Sequence, residues 1–219
     1  MSSIRNIAPS NIAPVDLAKR IGANGVNIIL ETLWLAYHDL KIADIIKPDY
    51  AENKITQEWV LKVTMRWDSE NRASRINTHL TPINQYEDDT MAKSTRKSPA
   101  IDFCFRAFDV GDGYFGVECK NLYDKQPDKK QRYVEKGVKH FISGQYASKS
   151  TVSAMIGYVL SGRIPDAVQS LTPLIAATDP IQNLTRELLV KDPQYKSSHL
   201  RTTDGKEILL YHLFFNFVA

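Results

Sequence analysis

The chain has 219 residues, of which 43% are hydrophobic and 24% are charged, and its formal net charge is +3. This length suits one domain, or one domain with an extension, and the composition is typical of a folded protein without low-complexity tracts. No run of about 18 apolar residues is present, so we expect no membrane span, and the first residues lack the apolar run of a secretory signal.

The first part of the chain predicts an irregular arm followed by helices. Residues 1–15 carry two prolines, and the apolar spacing from Val15 to Ile46 favours a helical region that is interrupted at Gly22–Gly25. Thr56 suits the N-cap of a helix that runs to Trp67. A short strand is indicated at residues 79–83.

Two apolar runs on either side of a turn-rich linker predict a β-hairpin. In the first run the apolar side chains alternate with Asp102, which therefore falls on the opposite face. The apolar stripe of that run consists of Ile101, Phe103 and Phe105. In the second run Glu118 and Lys120 share one face. A turn centred near Gly111 brings Asp102 within about 8 Å of both residues.

The rest of the chain predicts a helix, a buried strand, two more helices and a final hairpin. The helix at residues 127–147 turns Gln145 toward the sheet, and Gly137 and Gly144 indicate close packing or a bend in it. Residues 151–160 favour a strand that is covered on both faces. The last elements are helices at 165–177 and 179–191, and hairpin strands at 195–201 and 207–218.

Together these elements predict an α/β fold with a mixed central sheet flanked by helices, N-terminal helices and a C-terminal β-hairpin. We divide the chain into an N-terminal helical extension, residues 1–55, and an α/β domain, residues 56–219. Cys104 and Cys119 fall on opposite faces of the predicted hairpin, so we expect no disulfide between them and favour a reducing, cytoplasmic setting. Since neither CxxC pairs nor HExxH occur, a structural zinc site has little support.

The order of elements resembles the restriction-endonuclease-like core of the PD-(D/E)XK nuclease superfamily over residues 56–160. In that superfamily an aspartate on one strand and an acid-x-lysine on the next are followed by a helix and another strand. Asp102 and Glu118-Cys119-Lys120 match this order. The motif departs from its usual form because the proline, Pro99, stands three residues before Asp102 rather than directly before it.

The acid-x-lysine tripeptide alone carries little information, because the chain contains five matches to it. Only the match at Glu118 and Lys120 lies in an apolar strand pattern that faces an aspartate, and this context carries the interpretation. The alternative is an edge hairpin whose charged face is solvated and salt-bridged, as is common in antiparallel sheets.

The chemistry expected of such a site is hydrolysis of phosphodiester bonds with Mg²⁺, which Mn²⁺ can replace. Asp102 and Glu118 offer the oxygen ligands that a hard divalent cation prefers, and the resemblance adds the backbone carbonyl of Cys119 as a further ligand. Lys120 orients or deprotonates the attacking water, or stabilises the developing charge. The sequence leaves these roles of Lys120 open.

Further residues complete the predicted site. The resemblance places Gln145 beside the metal and suggests an accessory acid, for which Glu58 and Glu31 compete. Basic residues that flank the motif predict a surface that follows the phosphates of nucleic acid without reading its sequence. This surface consists of Arg96, Lys97, Lys125, Lys129, Lys130 and Arg132.

The sequence thus predicts a Mg²⁺-dependent endonuclease that acts on DNA, in restriction or antiviral defence by analogy with the superfamily. One competing hypothesis is a catalytically silent nucleic-acid-binding or assembly subunit with the same fold. Another is an α/β interaction protein whose hairpin charges are ordinary surface. The sequence leaves open the choice between DNA and RNA, the cleavage specificity, the oligomeric state and the need for a partner subunit.

Overall fold

The computed structural model describes residues 16–76, 79–87, 100–107, 113–189 and 192–218. Its helices are α1 (Leu17–Ala43), α2 (Glu52–Ser69), α3 (Pro127–Tyr133), α4 (Lys139–Ile142) and α5 (Ile164–Ala176). A π-helical turn, Val134–Val138, joins α3 to α4, and a 3-10 turn, Arg72–Arg75, follows α2. Its strands are β1 (Leu80–Glu87), β2 (Ala100–Ala107), β3 (Tyr114–Leu122), β4 (Val152–Val159), β5 (Gln182–Leu189), β6 (Asp192–Leu200) and β7 (Glu207–Asn216).

All seven strands belong to one mixed sheet, in the order β1-β2-β3-β4-β7-β6-β5. The central strand β4 runs parallel to both of its neighbours, β3 and β7, and the other four pairs are antiparallel. All residues of β4 after Val152 are buried, which confirms the strand that the apolar run at residues 151–160 predicts. The predicted α/β class and the C-terminal hairpin, formed by β6 and β7, are confirmed as well.

Helices cover both faces of the sheet and create two hydrophobic clusters. On one face α1 and α2 pack against the sheet around Trp59, Phe103 and Phe215. On the other face α3, α4 and α5 pack around Tyr133 and Phe141. The sheet thus lies between two helical layers, and a charged residue on one of its central strands is shielded from solvent by a helix on either face.

The structure contradicts the prediction of a helix at residues 179–191, where the chain forms β5 instead. This strand pairs antiparallel with β6 and supplies hydrogen bonds to an edge that would otherwise be open. The helix is predicted from the local pattern of residues 179–191, which does not include their hydrogen-bonded pairing with β6. The predicted domain boundary at residue 55 also falls inside α2, which begins at Glu52.

Two predicted interruptions are present in the helices. Gly22 has a φ of 64° and kinks α1 within the predicted Gly22–Gly25 interruption. The helix predicted for residues 127–147 ends earlier, at Ile142, and Gly144 follows with a φ of +69°. In the described ranges no helix is long and apolar enough to cross a membrane.

Candidate active site

The β2–β3 hairpin positions the first site residues. Cys104 pairs with Gly116 and Phe105 with Phe115, which is the register that a turn near residue 110 requires. The hairpin is therefore confirmed, while its turn at residues 108–112 lies outside the described residues. The paired region ends at Phe103 and Val117.

Beyond that point the side chain of Asp102, rather than the backbone of β2, forms the hydrogen bond to β3. Its Oδ2 accepts a hydrogen bond of 2.8 Å from the backbone N–H of Cys119. Strand alternation breaks down at this point. Ile101 packs in the cluster beneath α3 and α4, whereas Phe103 packs in the cluster on the other face of the sheet. The predicted stripe of Ile101 with Phe103 and Phe105 is thus wrong, and the change of face coincides with Asp102, where the pairing with β1 is also interrupted opposite Gln85.

The ammonium of Lys120 lies at the centre of the site. Its Nζ is 2.7 Å from Oε1 of Glu118, 2.6 Å from the carbonyl oxygen of Cys119 and 4.0 Å from Oδ2 of Asp102. Glu118 and Lys120 are only 4% and 5% exposed. The predicted convergence of two carboxylates and an ammonium is confirmed, and the alternative of a solvated edge hairpin is wrong because β3 is buried between β2 and β4.

A third carboxylate, which the sequence analysis missed, belongs to Glu52 in the first turn of α2. Its Oε1 lies 3.2 Å from Nζ of Lys120, and its Oε2 accepts a 2.9 Å hydrogen bond from the backbone N–H of Asn121. Glu31 instead pairs with Arg72 at 2.9 Å, and Glu58 lies on α2 beyond Glu52. The sequence analysis starts this helix at Thr56, whereas α2 begins at Glu52. A predicted start at Glu52 would have drawn attention to this carboxylate.

The electrostatics of the site are dominated by an excess of negative charge. Three carboxylates lie within 4.0 Å of one ammonium. Burial, followed by the charge of Asp102, raises the pKa of Glu118, and burial also raises the pKa of Asp102. Burial opposes the charge of Lys120, but Glu118, Asp102 and Glu52 outweigh it and raise the pKa of Lys120.

The site opens into a cavity of about 580 Å³ between β3 and the helix above it. Its lining residues are Glu118, Lys120, Gln131, Arg132, Glu135, Lys136, His140 and Tyr146. Gly137 lets the π turn approach the strand, because a Cβ there would stand 2.3 Å from Cε of Met155 and 4.0 Å from Cγ of Glu118. The close packing predicted at Gly137 is confirmed, and it forms the roof of the site.

Gln145 does not occupy the place that the sequence predicts. It lies three residues beyond the end of α4, in a bend, and is half-buried. Its neighbour Tyr146 lines the cavity instead, and Gln131 from α3 supplies a side-chain amide there. The early helix end at Ile142 moves Gln145 out of helical register, which explains the difference.

The predicted nucleic-acid surface is only partly available. Lys125 and Arg132 are exposed and Lys129 is half-buried, whereas Arg96 and Lys97 lie outside the described residues. Lys130 does not belong to this surface, because it is 8% exposed. Its ammonium donates to the carbonyl of Asp124 at 2.9 Å and to Oγ of Ser170 at 3.2 Å.

The donor chemistry fits a hard divalent cation, since the converging acceptors are carboxylate and carbonyl oxygens. Oε2 of Glu118 is buried without a hydrogen-bond partner among the described residues, which is the state expected of an atom that awaits a ligand. With Lys120 held between these acceptors, no three His, Cys, Asp or Glu side chains in the described ranges are spaced to hold a metal. No family model, curated protein or solved structure matches the chain.

Proposed function

We propose that this protein is a Mg²⁺-dependent phosphodiester hydrolase, an endonuclease that acts on DNA. The observation that carries the proposal is the buried carboxylate of Glu118, which has an unpartnered oxygen at the wall of a cavity. Asp102 and Glu52 stand beside it, and Lys120 is the one ammonium among the described residues that pairs with all three carboxyls. A divalent cation would favour the charged forms of Glu118 and Asp102, which burial alone disfavours.

The arrangement of elements also supports a restriction-endonuclease-like core. Asp102 lies on β2 and Glu118 on the adjacent β3, and the chain then forms a helix before it returns as β4 parallel to β3. Restriction or antiviral defence is the setting that this likeness suggests. Because Cys104 and Cys119 are both buried free thiols, a reducing cytoplasm is the setting we propose.

Asp102, Glu118, Glu52 and the carbonyl of Cys119 would hold the cation once the Lys120 ammonium moves out from among them, because their present spacing holds no metal. When bound, Mg²⁺ or Mn²⁺ polarises the phosphate and lowers the pKa of a coordinated water. Lys120 donates its three hydrogen bonds to Glu118, the Cys119 carbonyl and Glu52, so its Nζ would donate to a phosphoryl oxygen or orient a water by exchanging one of them. The walls of the cavity carry the positive charge that attracts the substrate.

Nuclease assays test this proposal directly. Plasmid, linear and single-stranded DNA and RNA are incubated with the protein in Mg²⁺ or Mn²⁺, with EDTA as a control. Asp102→Ala and Glu118→Gln are expected to lower cleavage by at least about 10³-fold, since each removes a charge that binds the cation. Lys19→Gln, an exposed lysine on the opposite helical layer, is the matched control and retains full activity. Cleavage that survives both EDTA and the two site substitutions overturns the proposal.

A catalytically silent nucleic-acid-binding subunit is the second candidate, and one contact favours it. The Lys120 ammonium bonds to Glu118 and to the Cys119 carbonyl, which are two of the groups that a cation needs. If Lys120 stays there, the protein binds no Mn²⁺ in calorimetric titration and binds DNA without cutting it. Mn²⁺ binding that Glu118→Gln abolishes favours the hydrolase instead.

A further inference from the structure

Three side chains that can bind phosphate follow one line along the helix above the site. Arg132, Lys136 and His140 are spaced four residues apart, and all three line the cavity that contains Glu118. In a regular α-helix, side chains four residues apart drift around the axis by about 40° per step. The wider π turn at Val134–Val138 lies between them and offsets this drift, so the three residues stay on one side.

The two strong cations of this line are available to a ligand. Arg132 and Lys136 are exposed, and neither forms an ion pair with a described residue. Glu135, which also lines the cavity, accepts a 2.7 Å bond from Lys139. Arg132 and Lys136 are therefore two cations of the cavity wall that form no ion pair within 4.0 Å with a described residue.

The third member, His140, is held in place by the segment after α4. The ring of Tyr146 packs edge-on against the imidazole with 5.0 Å between centroids, and the backbone N–H of Tyr146 donates to the carbonyl of His140 at 3.1 Å. An imidazole fixed at the wall of a cavity is pre-organised to donate a hydrogen bond. The line thus offers an arginine, a lysine and an oriented imidazole.

We propose that Arg132, Lys136 and His140 form a second phosphate site, which binds the phosphate next to the one at Asp102, Glu118 and Lys120. The substrate is then a polynucleotide strand with at least two successive phosphates, not a mononucleotide. A volume of about 580 Å³ suits a short segment of one strand. This inference rests on the proposed function for the identity of the first phosphate position, but its binding test does not require cleavage.

Fluorescence anisotropy with a labelled 12-nucleotide single-stranded oligothymidylate measures binding over a range of salt concentrations, in EDTA at pH 8. The double variant Arg132→Gln/Lys136→Gln is expected to bind about 100-fold more weakly, which corresponds to roughly tenfold for each charged contact. The slope of log affinity against log salt should fall by roughly 1.4, since two phosphate contacts are lost. Adding His140→Ala weakens binding further without changing the slope, because imidazole is uncharged at this pH.

Exposed substitutions on the helix should leave the fold intact, and circular dichroism checks this for each variant. Lys19→Gln is again the matched control and keeps the wild-type affinity and slope. Equal affinity and equal slope in the double variant and the wild type overturn the second phosphate site.

A second assay separates this inference from the proposed function. Bis(4-nitrophenyl) phosphate has a single phosphate, so the double substitution should raise the KM for the oligonucleotide at least tenfold more than it raises the KM for this small substrate. If the wild type cleaves neither substrate but loses oligonucleotide binding in the double variant, the hydrolase proposal fails and the phosphate site stands. If both proteins cleave both substrates equally, the phosphate site fails and the hydrolase proposal stands.

Discussion

The sheet carries two buried polar clusters, and they differ in how completely their atoms are partnered. The first, around Lys120 on β3, is the candidate active site. The second joins β6 and β7 to the helices above them. In it Ser197 Oγ lies 2.8 Å from Nε2 of His199 and 2.9 Å from Nε2 of His212. Both histidines are buried, at 1% and 0% exposure.

Hydrogen bonds continue from both ends of this second cluster. The hydroxyl of Tyr133 lies 2.9 Å from Nδ1 of His212, and Oγ1 of Thr178 lies 3.3 Å from Nδ1 of His199. Since Thr178 donates its own proton to the carbonyl of Ile175, His199 must donate from Nδ1 and accept at Nε2. Ser197 then donates to His199 and accepts from His212, which accepts from Tyr133. The chain of donors closes with both imidazoles neutral.

In the cluster around Lys120, by contrast, not every buried polar atom has a partner among the described residues. Its three carboxylates share one ammonium, and an oxygen of Glu118 is left unpartnered at a cavity wall. Buried polar groups in folded proteins are nearly always satisfied, so a satisfied chain holds the fold together, whereas an unsatisfied charge beside open space indicates a ligand. Completeness of hydrogen bonding, rather than burial alone, therefore distinguishes the histidine cluster from the candidate active site.

The largest effect should come from removing the ammonium that pairs with Glu118, Asp102 and Glu52. Lys120→Met leaves Glu118 buried without its partner, so the free energy of unfolding should fall by about 3–5 kcal/mol. Glu118→Gln keeps the shape of the side chain and replaces a carboxyl whose charged form burial disfavours with a neutral amide. Its free energy of unfolding should therefore stay within about 1 kcal/mol of the wild type.

Urea denaturation followed by circular dichroism, in EDTA at pH 7.5, compares these two variants. The wild type and Lys19→Gln provide the reference. Equal losses in Lys120→Met and Glu118→Gln would show that the site is a balanced ion pair, and the contrast between the two clusters would disappear.

A smaller effect is expected in the histidine cluster. Ser197→Ala removes the hydroxyl that joins His199 to His212 and leaves both Nε2 atoms buried without partners. The free energy of unfolding should fall by about 2–3 kcal/mol, because unsatisfied buried polar groups lose their hydration without compensation. Denaturation measures this loss, and the proposed nuclease activity should not differ between the folded variant and the wild type. A variant of normal stability but low activity would move this cluster into the functional site.

The two clusters should also have opposite dependences on pH. Burial lowers the pKa of His199 to about 4 and that of His212 to about 3. Their contribution to stability is complete above the unfolded value of about 6.5 and is lost as pH falls through the folded values. The pKa of Glu118 is raised by burial and by Asp102, so its contribution is complete below about 4.3 and is lost as pH rises through its folded value.

Variants make these opposite slopes measurable between pH 5 and 6.5. Relative to the wild type, His199→Gln should lower the slope of unfolding free energy against pH by about 1.4 kcal/mol per unit. Glu118→Gln should raise the slope by a similar amount, since it removes a group of the opposite sign. The measurement is a series of urea titrations across this range. Slopes that change in the same direction in both variants contradict the opposed titrations.

The parts of the site that local pattern determines were accessible from the sequence. Two apolar runs around turn-forming residues predict the β2–β3 hairpin, and the position one residue beyond its last pair, Phe103 and Val117, brings Asp102 beside Glu118. Gly137 in the π turn and Gly144 after the end of α4 likewise indicate close approach and a bend, because a glycine signals both locally.

The parts that depend on distant partners were not accessible. Glu52 contacts Lys120 through the packing of the start of α2 on β3. Strand β5 is held by its hydrogen-bonded pairing with β6. The close packing of the π turn at Gly137 on Met155 is a tertiary contact that no periodicity in the helix reveals. The packing of Ile101 under α3 and α4 departs from strand alternation at Asp102, whose side chain accepts a hydrogen bond from the neighbouring strand.

The smallest expected effect concerns the roof of the site, where Gly137 passes over Met155 and Glu118. In Gly137→Ala the new Cβ gains about 1 kcal/mol of helix propensity, but it lies 2.3 Å from Cε of Met155 and forces that side chain to move. Overpacking of this kind costs about 1–3 kcal/mol, so a net loss of about 1 kcal/mol is expected in urea denaturation. A double-mutant cycle with Met155→Ala isolates the contact, and the coupling should favour the double variant because shortening Met155 removes the clash. The same substitution should alter Mn²⁺ binding, since Met155 moves beside the carboxylate, whereas the histidine chain has no comparable dependence on this glycine. If the coupling energy favours the double variant as expected but Mn²⁺ binding is unchanged, the packing of Gly137 on Met155 does not affect the proposed metal ligands.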